Sequence, residues 1–432
     1  MVIAIFLIIY LIVSWFRPKF GLALLLAILP SYQIKFQIFN IPFTFLEAMI
    51  LGLFLVFLIQ NAKDIFKNKE KVLANWSFPI FIFLIIATGA MFLSPDLKAG
   101  AGVWRAYFIE PILFLLTFCG LVKSKKDLKI IGLGAAISVI YLSFFAFFQK
   151  FVGQGIWSEE VWAGKQIFRV SSLYPHPNFL GLFLGPMIFL GLGAILHFIK
   201  NKKTAFVLGI LFFLLSFLAL IFAMSEGAII GVLTGLIVWI LSFKKFRKKI
   251  TVGLVILIIL IFLFPASRAY FLEKALLQDL SGQLRINIWR GASELIKTSP
   301  LIGVGLDGYE KLISDFQINF YETAQGEKVF VFPQPYPHNL FLTLWLELGF
   351  LGLLVFIWLI IKFFLIGIKL FKKEPILIGS LMAAMIAILT HGLVDTPYFK
   401  NDLAIVFWLI IGVEIILNKL SKKDYGREVL GK

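Results

Sequence analysis

Long apolar runs alternate with short polar breaks along almost the whole chain. Stretches such as IFLIIYLIV near the start and FFLLSFLALIFAM in the middle carry no charge and show no strand-like alternation. A helix crosses ~30 Å of hydrocarbon with about 20 apolar residues, and in lipid only helices and closed barrels satisfy their backbone groups. Continuous rather than alternating runs point to helices. The runs place spans near 2–16, 20–34, 41–60, 77–95, 104–122, 130–152, 179–199, 205–224, 227–243, 250–266, 339–361, 376–394 and 401–418. The first two are short, so about 12 transmembrane helices are expected, with 13 as the alternative. The predicted class is an all-α polytopic membrane protein, one integral domain over 1–432.

Two segments break the rhythm, 153–178 and the long 267–338. A connection beyond about 15 residues is usually functional or disordered. The composition of this one is not that of a disordered chain, because Trp289, Leu295, Ile296, Leu301, Ile302, Tyr309, Leu312 and Ile313 recur at near-helical spacing. The pattern predicts an amphipathic helix over 284–297, ended by Ser299-Pro300, and a turn at Gly303-Val304-Gly305 and Gly308. A second short helix follows at 309–316. Trp289, Leu295, Ile296 and Ile302 need burial, so the loop is expected to fold back over the membrane.

Composition adds the orientation. Hydrophobic residues make up 60% of the chain, against roughly 45–50% in soluble domains. The net charge of +17 falls in short clusters at 63–71, 123–129, 200–203, 244–249 and 369–373, and in the tail from Lys419. These clusters follow every second span, the positive-inside pattern, so they read as cytoplasmic anchors and not as a nucleic-acid footprint. The segment 267–338 holds seven Lys/Arg against eight Asp/Glu, which suits a translocated loop. The expected location is a bacterial-type cytoplasmic (inner) membrane with this large loop extracytoplasmic. The first run lacks a basic leader and a small-residue cleavage site, so it is expected to be a helix and not a cleaved signal. Cys119, the single cysteine, lies in an apolar run and supports neither a disulfide nor a thiolate metal site.

The candidate chemistry rests on few residues. His176 and His338 both stand in Tyr-Pro-His sequences immediately before an apolar span, YPHPNFLGLF and YPHNLFLTLW. The preceding proline fixes the backbone and holds each imidazole at the interface. His197 reads as an interfacial residue beside Lys200, and His391 as the partner of a local helix-end bond with Asp395. Arg285 and Trp289 lie four apart, on one helix face. Arg285 has no acidic residue at i±4, whereas Arg290 has Glu294 as a structural partner. A guanidinium keeps its charge and grips phosphate oxygens in pairs, which makes Arg285 a ligand candidate.

The segments RINIWRGASELIKTSPLIGVGLDGYEKL and HNLFLTLWLELGFLGLLVF resemble the O-antigen ligase and O-antigen polymerase superfamily. In that pattern Arg285 and Trp289 precede the turn of Pro300, Gly303 and Gly305. His338 and Asn339 then open a span that carries Glu347 and Gly349. Upstream, RVSSLYPHPNFLGLFL resembles the family's stretch ending in Pro-Asn, here Pro177-Asn178. Where many members carry Ser-Arg-Gly, this chain has Ser225-Glu226-Gly227, so Arg169, with Arg105 behind it, becomes the candidate second phosphate ligand.

The resemblance implies a glycosyltransferase that moves a glycan from an undecaprenyl-diphosphate carrier to an acceptor hydroxyl at the outer face. His338 would be the general base, with Arg285 and Arg169 on the diphosphate. Asn339, Trp289, Gly303, Gly305, His176 and Asn178 would support them. An imidazole titrates near neutrality and suits proton removal, and guanidinium groups stabilise charge that develops on a leaving diphosphate. No cluster with metal-ligand spacing appears, so no metal and no cofactor are expected, and direct attack would invert the anomeric centre. Partners would be the donor, membrane lipids, and a lipid, glycan or protein acceptor, which leaves ligase, polymerase and protein O-oligosaccharyltransferase open. A glycolipid flippase or transporter is the rival from another class, resting on Glu47, Arg105, Glu110, Lys150, Glu226, Glu347, Asp395 and Glu414 in or near spans. A scaffold that uses the loop for docking is a third reading.

Overall fold

The computed structural model describes residues 2–38, 41–67, 72–153, 160–162, 165–317, 320–322, 328–330 and 332–430. Positions 318–319, 323–327 and 331 of the long loop lie outside the described residues. Helices dominate, in the order α1 (Val2–Phe16), α2 (Pro18–Ala27), α3 (Phe45–Lys67), α4 (Ser77–Phe92), α5 (Leu97–Trp104) and α6 (Glu110–Leu121). There follow α7 (Lys125–Val152), α8 (Pro177–Phe198), α9 (Lys202–Ala223), α10 (Glu226–Leu241), α11 (Lys244–Leu263) and α12 (Pro265–Ala275). The chain ends with α13 (Leu280–Thr298), α14 (Gly308–Leu312), α15 (Leu340–Phe371), α16 (Pro375–His391) and α17 (Asn401–Leu430). Three antiparallel hairpins, 35–38 with 41–44, 160–162 with 165–167 and 320–322 with 328–330, are the only strands among the described residues.

Six helices among the described residues are long and apolar enough to cross a membrane, or seven if the bent pair α11–α12 is one span. Six more apolar helices run only 10–17 residues. The chain is an α-helical multi-pass membrane protein. Apolar runs place helices well, but their ends differ from expectation. The run 20–34 is not one span: α2 stops at Ala27, and a 3-10 turn, Leu29–Gln33, follows. Residues 41–44 form a strand, so α3 begins only at Phe45. Conversely, α5, a π-helical turn over Arg105–Ile109 and α6 form one span, Leu97–Leu121.

Small residues bring the central helices together. Gly227, Gly231 and Gly235 recur every fourth residue on α10 and meet His391, Ala387 and Ala383 of α16. A Cβ at any of these glycines would enter α16 or its side chains, so close approach is what they supply. Helices α8 and α17 are largely buried inside this bundle, whereas α11 buries no residue and, beyond its basic first turns, is apolar all round, as a lipid-facing helix should be. The bend of 102° between α11 and α12 turns the chain sideways where it enters the loop.

Basic residues gather at the end of the bundle away from the start of α15. Lys125 pairs with Glu374, Lys19 with Asp127 at 2.7 Å, and Lys373 with Ser421 at 3.0 Å. The helix α15, about 48 Å long at 1.5 Å per residue, separates Lys369 from His338.

The long loop packs rather than trails. Ile288, Ala292 and Leu295 of α13 are buried, and Ala292 and Leu295 join Tyr309, Ile313 and Leu346 in a small core of their own. Leu301 and Ile302 stand outside this small core, on the protein's own surface, 63% and 54% exposed. The reason is the turn that carries them. Gly303, at φ +75°, lies against the backbone of Leu346 and Gly349, and Gly349, at φ +72°, lies against Leu301 and Ile302. The Val304 amide donates to the Leu346 carbonyl at 2.7 Å and the Phe350 amide to Pro300 at 3.2 Å. Two glycine turns thus interlock, and α15 kinks at Gly349. Gly349→Ala adds both a left-handed strain and a backbone collision, and should cost at least about 2 kcal/mol. Gly253→Ala, on α11 with open space around it, should leave the melting temperature unchanged or raised. Thermal unfolding in detergent compares the two.

Candidate functional site

The two Tyr-Pro-His sequences start helices in different ways. His176 is itself the N-cap of α8, and its Nδ1 accepts the Asn178 amide at 3.1 Å. At α15 the cap falls one residue later. Asn339 Oδ1 accepts the amides of Phe341 and Leu342 at 3.0 and 3.1 Å, which satisfies the helix start and releases the preceding imidazole. His338 takes φ +46°, a left-handed conformation that costs a non-glycine residue about 1–2 kcal/mol. Strain of this kind persists where the surroundings over-determine it, often at functional sites.

Those surroundings are the short connection 392–400 between α16 and α17. Asn339 Nδ2 donates to the Leu393 carbonyl at 3.0 Å, and the Leu340 amide donates to Gly392 at 2.7 Å. From the loop side, Arg285 Nε donates to the Val394 carbonyl at 3.1 Å, and Nη1 donates to Ser281 at 2.9 Å. Trp289 Nε1 donates to the Pro337 carbonyl at 2.9 Å, tying α13 to the residue before the histidine. The predicted pair of Arg285 and His338 therefore converges on one short segment, with Trp289 and Asn339 as braces.

Asp395 lies at the centre, and the sequence reading assigned it elsewhere. The expected helix-end bond to His391 is replaced by a contact between Asp395 Oδ1 and His338 Nδ1 at 3.3 Å. The cause is packing: α10 presses Gly227 against His391, which is buried, and the connection turns Asp395 toward the start of α15. Burial raises the Asp395 carboxyl, but the His338 bond, the charges of His338 and His391 and the Thr396 amide outweigh it. They hold Asp395 below the usual carboxylate range. An ionised Asp395 favours the tautomer with the proton on Nδ1, which leaves Nε2 as the acceptor. The His338 side chain is 32% exposed.

Arg169, His176 and Asn178 form a second cluster. Arg169 donates to Asn178 Oδ1 at 2.8 Å and to the Ala223 carbonyl at 3.0 Å, at the junction of α9 and α10. The two clusters flank the first turn of α10, since Gly181 of α8 meets Ser225 and Gly227 meets His391. Glu226, which stands where a basic residue was expected, is neutralised by Lys274 of α12 at 2.9 Å. Arg105 is held by Glu47 and Glu110, each at 3.3 Å, two acids outside both clusters. The expected Arg290–Glu294 pair gives way to Glu294 with Lys297 at 2.6 Å. His197 faces Glu374 at 4.0 Å at the basic end. Gly303 and Gly305 are buried against backbone, Gly303 on Leu346 and Gly349 and Gly305 on Leu93 and Ser94 of the α4–α5 turn.

Sequence reasoning missed Lys400, whose Nζ lies 3.2 Å from the centroid of the Phe179 ring. Burial lowers its ammonium from the usual lysine range, although Asp402 and Asp395 pull the other way. A charged residue just before an apolar helix was the only signal, and it reads equally well as an anchor.

The class defined by this fold and site is a multi-pass membrane protein with a His–carboxylate pair and arginines at one end of its bundle. Residues 211–357 match the family model described as O-antigen ligase, and over this stretch the chain is O-antigen ligase-like. The match contains Arg285, Trp289, Gly303, Gly305, His338 and Asn339, whereas Arg169, His176, Asn178 and Asp395 lie outside it. No curated protein matches the chain.

Proposed function

We propose that the protein transfers a glycan from an undecaprenyl-diphosphate carrier to an acceptor hydroxyl at the outer face of the cytoplasmic membrane, as an O-antigen ligase-like enzyme. The observation that carries this reading is the convergence of Arg285, His338 and Asp395 on the 392–396 segment. His338 Nε2 removes the proton of the attacking hydroxyl while its Nδ1–H faces Asp395, which stabilises the imidazolium. The new bond forms at the anomeric carbon as the bond to the diphosphate oxygen breaks on the opposite face, with inversion and without metal. Charge that develops on the leaving diphosphate meets Arg285, whose Nη2 protons remain after Nε and Nη1 are committed. Arg169 supplies a further cation, with Asn178 as its brace.

Deleting the gene in its host tests the acceptor class. The ligase reading expects carrier-linked polymer that is never attached. Single repeats would make the enzyme a polymerase instead, and unglycosylated protein would make it a protein O-oligosaccharyltransferase.

Sidedness has its own test. The positive-inside pattern places 244–249 inside and the loop 267–338 outside. In intact cells, Lys297→Cys should react with an impermeant thiol reagent and Lys245→Cys should not. The reverse labelling would overturn the topology.

A further inference from the structure

We infer that Lys400 is a ligand of the carrier diphosphate, joining the Arg169 cluster to the His338 cluster across one anion-binding site. This rests on the donor reading above and adds a residue that neither the motif nor the family match contains.

Three observations meet at this side chain. Its position is the first. Lys400 ends the 392–400 connection that also carries Val394 and Asp395, and its Nζ covers the ring of Phe179. That ring follows Asn178, the acceptor for Arg169, and lies 5.7 Å from the His176 ring. The ammonium therefore touches a ring beside the Arg169 cluster and feels the charge of Asp395 in the His338 cluster.

The second is its lack of a counter-ion. Among the described residues no carboxylate forms an ion pair with Lys400. Asp402, the nearest candidate by electrostatics, is engaged by the Tyr174 hydroxyl at 2.8 Å and the Leu403 amide at 2.9 Å. Asp395 is turned to His338. Glu226, in the first turn of α10, is paired with Lys274.

The third is its place on the helix. Lys400 immediately precedes α17 and its carbonyl accepts the Ala404 amide, so its backbone stands at the positive end of the helix dipole. A half-buried cation in that position is unfavourable in the empty protein, and an aromatic face offsets only part of the cost. An arriving anion offsets that cost. A diphosphate has two phosphoryl groups and can engage cations on both sides, whereas a monophosphate has one. The prediction is therefore selective for the diphosphate.

The test measures binding of farnesyl diphosphate, farnesyl monophosphate and phosphatidylglycerol to the purified full chain in detergent. Lys400→Met keeps the stem over Phe179 and removes the charge, and Lys400→Arg keeps both. Lys400→Met should weaken diphosphate binding about 10–100-fold, the size of one charge-assisted hydrogen bond, with a smaller loss for the monophosphate. Lys400→Arg should recover most of it, and all variants should melt within a few degrees of the parent. Equal diphosphate affinity in a folded Lys400→Met would overturn this inference alone. An equal loss for phosphatidylglycerol and the diphosphate would also overturn it, making Lys400 a headgroup anchor. A parent protein that binds no polyprenyl diphosphate would sink the donor reading, and this inference with it.

Discussion

His338→Ala should lose transfer by about 10²–10⁴-fold while it still binds the carrier. A base acts only on the proton of the attacking hydroxyl, so its removal raises the barrier of the chemical step and leaves ground-state contacts with the diphosphate in place. The substitution leaves the start of α15 intact. Asn339, not His338, caps α15, so alanine removes no hydrogen bond from the helix start. His176→Ala is the opposite case: it deletes the N-cap of α8, costs about 1 kcal/mol of stability, and should retain turnover. The comparison is made on single-turnover rates and donor affinity for both variants. A His338→Ala enzyme with near-parental turnover would remove the base, and one that folds but cannot hold the carrier would move His338 from chemistry to binding.

Arg285 should show a mixed defect, because the diphosphate is charged before the bond breaks and more so afterwards. Arg285→Ala should lower turnover about 10²–10³-fold and weaken donor binding as well. Arg285→Lys is the more informative change. It keeps the charge but cannot span the Val394 carbonyl and Ser281 while presenting a further donor pair, so it should remain well below the parent. Both substitutions are read as kcat and donor affinity. Parental values for Arg285→Ala would end its assignment to the diphosphate.

The sequence reveals helices where apolar runs are uninterrupted, because burial in lipid leaves the backbone no other solution. It fails where an apolar stretch has another use: the strand 41–44 is as apolar as the helix beside it, and the run 20–34 ends early in the 3-10 turn 29–33. Periodicity located α13 and the short helix after it, but not the turn at Ile302, which depends on two glycine turns locking across 46 positions (349 minus 303). His338 and Arg285 were legible from motif and context. Their partners were not. Asp395 is 57 residues from His338, and its direction is set by how Gly227 seats His391, a fact of helix packing. The difference between the two Tyr-Pro-His sequences is visible in one residue, Pro177 against Asn339, once the cap position is known. Lys400 looks like an interfacial anchor until the ring beneath it is seen.

The central claim is that His338 and its neighbours break a carrier–glycan bond, and reconstitution tests it most directly. Purified protein in proteoliposomes, given a labelled polyprenyl-diphosphate oligosaccharide and a membrane glycan acceptor, should release the free diphosphate carrier and form a glycan product of inverted configuration. The same vesicles with His338→Ala should bind the donor and release none. Movement of intact donor across the bilayer with no bond cleaved, or cleavage at the parental rate by His338→Ala, would contradict the account.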